Sequence, residues 1–222
     1  MINLNNVTLF CISSNKVDGA IYALNKSMEG INFASVKLIT HKKPSNLPKG
    51  IEYSQCYEIT SMADYNYYCI YNLTNHIDTD YCLLVQPDGY VIRPWLWDND
   101  WFNYDYIGAP WRVEERSFVT PFGEHIRVGN GGFSFRSKKL LDVPKKIEIP
   151  WDVNQGTFYK HFDAGSTSED GNICVHNKHL YESQGCKFAP LEVAVKFSKE
   201  REIPENIGLE TFGFHYYFQD IR

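Results

Sequence analysis

Tyr81-Cys82-Leu83-Leu84-Val85-Gln86-Pro87-Asp88-Gly89 runs from an apolar segment straight into a turn. The segment has no polar/apolar alternation, which marks a short strand covered on both faces. The same texture occurs upstream at Val7-Thr8-Leu9-Phe10-Cys11-Ile12, and more briefly at Val36–Thr40. Between these runs, residues 18–28 place apolar side chains near helical spacing, with Asp18 as the candidate cap. Residues 44–50 are rich in Pro, Gly and Asn and read as a loop, and residues 63–77 suit a second helix. Strands alternating with helices of this length predict βαβ units, a largely parallel sheet, and both helices packed on it by right-handed crossovers.

Beyond Asp88 the texture changes. Trp, Tyr, Pro and Gly crowd residues 90–112, and an alternating run follows at 128–136. This half reads as mixed and partly antiparallel. No linker and no internal repeat separates it from the first half, so both are expected to share one sheet within a single α/β domain over residues 1–222. The aromatic tail, residues 197–222, is expected to fold back over that sheet.

The bulk numbers narrow the function. With 43% hydrophobic and 22% charged residues, the 222-residue chain has the composition of a soluble globular protein. A net charge of −5 argues against general nucleic-acid binding. The six cysteines form no CxxC pair, and Cys11, Cys69 and Cys82 sit in apolar runs, where buried free thiols are expected. No basic-then-apolar leader and no stretch long enough to span a bilayer is visible, which makes a cytoplasmic setting the default.

Three short segments carry candidate chemistry. Asp88 follows a buried strand, where open α/β sheets bind ligands; it reads either as a ligand-facing carboxylate or as a turn former bonding its own backbone. Glu169 and Asp170, in Ser168-Glu169-Asp170-Gly171, read either as acids favoured at a helix start or as a general base. His215, in Phe212-Gly213-Phe214-His215, is either a hydrogen-bonded core residue or a metal ligand. Val128-Gly129-Asn130-Gly131-Gly132-Phe133-Ser134-Phe135-Arg136-Ser137 adds a backbone stripped of Cβ atoms that another surface can approach closely.

Taken in order, the QxDG turn at Gln86–Gly89, YDYIGAPW at Tyr104–Trp111, VGNGGFSFRS at Val128–Ser137, EDG at Glu169–Gly171, KFAPLEVA-x-x-FS-x-E at Lys187–Glu200 and FGFH at Phe212–His215 resemble a family of glycosyltransferase-like domains of bacteria and large DNA viruses. That family is similar to GT-A glycosyltransferases, including fringe-type and β1,4-galactosyltransferase enzymes. The resemblance implies a GT-A-like fold with a mixed, mostly parallel central sheet flanked by helices. It implies that Asp88 is the metal- and diphosphate-contacting aspartate of a DxD motif whose first acid is here Gln86. Asp170 resembles the catalytic base of the fringe-type ED motif, with Glu169 as its alternative, and His215 resembles a late histidine completing the metal site. Ser13, Ser14, Gln86, Asp88, Gly89, Asn130, Gly131 and Gly132 are then the donor-binding set.

The expected activity is that of a hexosyltransferase-type enzyme. It moves a sugar, with inversion, from a UDP-sugar to a glycan, lipid-linked glycan or other hydroxyl acceptor, assisted by Mn²⁺ or Mg²⁺. Two alternatives stand beside it. A glycoside hydrolase needs two acids flanking the sugar, and only Glu169 and Asp170 stand out. A non-catalytic carbohydrate or nucleotide-sugar binding module is consistent with Gln86 in the first DxD position.

Overall fold

The computed structural model describes residues 1–113, 118–151 and 168–216. Its centre is a six-stranded sheet in the order β3-β2-β1-β4-β6-β5. The strands are β1 (Ile2–Ile12), β2 (Ile31–Thr40), β3 (Glu52–Gln55), β4 (Tyr81–Leu84), β5 (Tyr106–Pro110) and β6 (Val128–Ser137). The first four run parallel, and β6 is antiparallel to both β4 and β5. The sheet is therefore mixed and mostly parallel, and the β4–β6 ladder joins the two halves of the chain.

Strand β1 shows why it sits at the centre. Val7, Leu9 and Cys11 bury one face, against Ala20, Ile21 and Leu24 of helix α1 (Val17–Ser27) and against Phe133, Phe197 and Phe212. Phe10 and Ile12 bury the other face, against Tyr68, Cys69 and Ile70 of helix α2 (Met62–Tyr71) and against Leu140, Ile173 and Tyr181. A strand with apolar side chains on both faces has no solvent side to alternate with, which is why its sequence reads as a continuous run. All six cysteines are buried and free.

Several elements differ from the sequence expectation. Asp18 lies in the first turn of α1 rather than capping it; Lys16 holds the cap position, and its backbone N–H donates to Ser13 Oγ at 3.0 Å. The second helix stops at Tyr71, and the chain tightens into a 3₁₀ turn at Leu73–His76. That turn drops the His76 ring between Ser54 Oγ (2.6 Å) and Tyr68 Oη (2.5 Å). At the other end of α2, Ser61 and Asp64 form a reciprocal capping box. Strand β3 has no apolar pattern because it is an edge strand, held by backbone pairing with Lys37–Thr40.

The tail packs onto the sheet as far as it is described. Helix α3 (Lys138–Leu141), α4 (Val143–Lys146), α5 (Glu169–Gly171), α6 (Lys178–Ser183) and α7 (Leu191–Phe197) lead to two short parallel strands, β7 (Ser198–Lys199) and β8 (Gly213–Phe214). The part of the tail expectation that falls on residues 217–222 lies outside the described residues.

Candidate functional site

The site is built where β1 and β4 end together. The Val85 N–H donates to Phe10 O at 3.0 Å, and the chain then reverses in a tight turn in which Gln86 and Gly89 exchange two 2.9 Å backbone hydrogen bonds. The turn carries the Asp88 carboxylate out beyond the strand end, where it is 34% exposed. The tail closes on the same turn: the Tyr216 N–H donates to Asp88 O at 2.8 Å, and the Phe214 N–H to Tyr90 O at 3.3 Å. A Cβ on Gly89 would come within 2.8 Å of Phe214 O, so glycine is what lets the two segments meet. Tyr216 takes a φ of 60°, a left-handed backbone that a bulky residue adopts only where its surroundings impose it.

His215 lies in this junction. Its Nε2 is 3.2 Å from Gln86 Oε1 and 3.7 Å from Asp88 Oδ1, and its Nδ1 is 3.9 Å from Glu200 Oε1. Burial holds the imidazole pKa below its ordinary value, against the pull of Asp88 and Asp170, so the ring is a neutral donor or ligand near neutrality. Gln86 is also tied to Tyr65 Oη at 2.7 Å. Burial, with Asp170 as the second cause, pushes the Glu200 carboxyl up to about 7, against the opposing pull of Arg201 and Asn130.

Asp170 and Glu169 are adjacent in sequence and differ in surroundings. Asp170 Oδ2 accepts the Gly131 backbone N–H at 2.9 Å, and its Oδ1 accepts the Gly171 N–H at 2.7 Å. Glu169 is buried, with Oε1 2.9 Å from Nη2 of Arg136, whose side chain is 0% exposed. Burial and the Asp170 charge push the Glu169 carboxyl up, and Arg136 draws it back down. The guanidinium also sits 5.1 Å over the Tyr106 ring. An acid held in such a pair is not open to a substrate proton.

The glycines of β6 are approached closely, as their pattern implied. Register shifts against β5 leave Gly131, Gly132 and Phe133 outside the ladder between Asn130 and Ser134, so the strand bulges there. A Cβ on Gly131 would overlap Glu169 Oε1, and one on Gly132 would overlap the His215 ring. The bare backbone makes room for the site's own side chains. Asn130 is buried, and its Oδ1 accepts the Gly132 N–H at 3.1 Å. Ser13 and Ser14 stand after β1 as expected, with Oγ atoms accepting from the backbone N–H groups of Lys16 and Ile59.

The sequence thus brought Gln86, Asp88, Gly89, Asp170 and His215 to one end of the sheet and left out three residues that complete the site: Glu200, Arg136 and Tyr65. Glu200 was visible as the last residue of the Lys187–Glu200 motif. Arg136 could have been found as the one charge in an otherwise buried strand, facing an acid-rich EDG segment.

The resemblance implies a divalent cation at Asp88 and His215. Among the described residues no group of three or more His, Cys, Asp or Glu is arranged to hold a metal ion. The two that do meet, a carboxylate oxygen and a neutral imidazole nitrogen 3.7 Å apart, fit a partial N/O set of the kind Mn²⁺ accepts. Cis ligands of an octahedral ion at ~2.1 Å sit about 3 Å apart, so a small side-chain movement closes the pair on a cation.

A family profile described as "Protein of unknown function (DUF5672)" matches residues 50–215, from the loop before β3 to His215. The chain belongs to this family. No curated protein matches this DUF5672 chain by sequence. Among solved structures, it is similar to a glycosyltransferase involved in the glycosylation of the major capsid of PBCV-1. That match has a TM-score of 0.53 and 14% identity, over 96% of this chain and 94% of that one. It is also similar to the galactosyltransferase LgtC in complex with donor and acceptor sugar analogs, with a TM-score of 0.52 and 12% identity over 94% of this chain and 86% of that one. The likeness at these identities is one of fold, and the fold is that of GT-A glycosyltransferases.

Proposed function

We propose that this chain is an inverting glycosyltransferase of hexosyltransferase type. It takes a UDP-sugar donor and a hydroxyl acceptor on a glycan, a lipid-linked glycan or another molecule, and it is assisted by Mn²⁺ or Mg²⁺. The observation that carries the reading is the meeting of Asp88 and His215 at the carboxyl ends of β1 and β4, with Asp170 near enough to act electrostatically on His215. In an open α/β sheet this is where ligands bind. A cytoplasmic setting belongs to the same reading; among the described residues no helix is long and apolar enough to cross a membrane.

Asp88 and His215 would hold the cation, which would supply charge neutralisation for a leaving diphosphate. Asp88 binds on the diphosphate side, and Gln86, an uncharged amide in place of an acid, offers hydrogen bonds there. Asp170 is the general base: it accepts the acceptor hydroxyl proton as the oxygen attacks the anomeric carbon, through an oxocarbenium-like state. The Gly131 N–H fixes one of its oxygens and so its direction. Glu169, paired with Arg136, anchors the turn that carries Asp170.

Calorimetric titration of UDP with and without Mn²⁺ tests the site. The wild type is expected to bind UDP more tightly with Mn²⁺, and Asp88→Asn, which keeps an oxygen but loses the charge, is expected to lose that increment. Equal affinity with and without metal contradicts a cation site. Tight UDP-sugar binding without any UDP release favours a non-catalytic binding module.

A further inference from the structure

We infer that Glu200 is a positioning residue that accepts a hydrogen bond from His215 Nδ1–H and thereby holds the Nε2 lone pair of that ring toward Asp88 and Gln86. The placement follows from register. Strands β7 and β8 are parallel, pairing Ser198 with Gly213 and Lys199 with Phe214, so the next residues, Glu200 and His215, emerge side by side. The His215 N–H donates to Lys199 O at 3.0 Å and fixes that register at the point of exit. Asn130, from the bulge of β6, lies beside the Glu200 carboxyl and favours its charged form. Glu200 is 19% exposed on its side chain and His215 16%, so both groups are largely shielded from solvent.

The hydrogen-bond accounting points the same way. His215 Nδ1 is buried without a hydrogen-bond partner, and Glu200 Oε1 stands 3.9 Å from it. A buried polar nitrogen left unpaired beside a carboxylate is costly in either of its forms. If the ring proton sits on Nε2, the Nδ1 lone pair faces the carboxylate directly. If it sits on Nδ1, a small closure makes a charge-assisted bond. The Gln86 amide accommodates the second choice. Half a turn about its terminal bond exchanges N and O, so that Tyr65 O–H donates to Gln86 Oε1 and Gln86 Nε2–H donates to His215 Nε2. The result is one directional chain, Tyr65 to Gln86 to His215 to Glu200, in which every buried group is paired. In this arrangement the Gln86 amide occupies the His215 lone pair until a cation takes it.

That Glu200 serves a cation rests on the proposed function; its control of the tautomer does not. The test reads both. Nitrogen NMR of His215 in the metal-free protein, at a pH above about 7 where the ring is neutral and Glu200 is ionised, is expected to show the Nδ1–H tautomer in the wild type and Nε2–H in Glu200→Ala. Glu200→Gln, whose amide oxygen still accepts, is expected to keep Nδ1–H and guards against a folding artefact. A wild-type ring protonated on Nε2 or on both nitrogens overturns the inference, as does a Glu200→Ala protein with unchanged nitrogen shifts. The same variants titrated with Mn²⁺ and UDP are expected to show a ~10- to 100-fold loss of Mn²⁺ affinity for Ala, with recovery in Gln. Unchanged affinity in Glu200→Ala overturns the positioning role. Absence of Mn²⁺ binding in the wild type, with the tautomer as stated, removes the cation from the proposed function and leaves the Glu200–His215 bond standing.

Discussion

The Gly131 backbone N–H donates to Asp170 Oδ2 across 2.9 Å, while the space where a Gly131 Cβ would stand is filled by Glu169 Oε1. One glycine therefore sets both acids of the EDG turn. Gly131→Ala must displace Glu169 from Arg136 or shift β6. The expected outcome is a loss of ~1–3 kcal/mol of stability, the usual cost of overpacking, together with a fall in activity. Gly132→Ala is expected to act likewise through the His215 ring. Thermal unfolding measured beside turnover checks this; a Gly131→Ala protein with wild-type melting contradicts the packing described.

The Arg136–Glu169 pair is expected to matter more when broken than when removed whole. Arg136→Met alone leaves a buried carboxylate uncompensated and should cost about 3–5 kcal/mol. Arg136→Met combined with Glu169→Gln removes both charges and should cost clearly less than the sum of the single changes. Denaturant unfolding of the four proteins in this cycle is the measurement. Additive losses would mean that the two charges do not support each other.

How far the sequence reveals this molecule depends on what each element needs. Strands β1 and β4 are buried on both faces, so their residues must be apolar and the run is visible. Strand β3 needs only backbone pairing with β2 and leaves no pattern. The glycines of β6 announce that something comes close, but not that the visitors are Glu169 and His215. Glu169 and Asp170 look interchangeable as neighbours; successive residues of a helical turn point about 100° apart, which sends one under β6 to Arg136 and the other to the Gly131 N–H. Glu200 was legible as a motif residue, while its place beside His215 depends on the β7–β8 register, which only the folded tail supplies.

Stability should depend on pH through Glu200. Its carboxyl titrates near 4.5 when free and at about 7 in the folded protein. Between those values the native state binds more protons than the unfolded one, so this group's contribution is present below 4.5 and is lost as pH rises through about 7. Glu200→Gln, which does not titrate, should therefore match the wild type in acid and gain on it toward neutrality, by at most on the order of 3 kcal/mol. Unfolding free energies across that range check the sign. A gap that widens on acidification would contradict it.

Sugar transfer at this site is tested most directly through Asp170. UDP release from UDP-sugars should be followed with Mn²⁺ present, both with hydroxyl acceptors and with water alone, for wild type and Asp170→Asn. The predicted result is steady UDP release by the wild type and a ~10²- to 10⁴-fold lower rate for Asp170→Asn, with donor affinity nearly unchanged because the base acts on the other substrate. Wild-type release that Asp170→Asn leaves intact, or no release from any donor by a folded protein that binds UDP, would contradict the claim that this site transfers sugars.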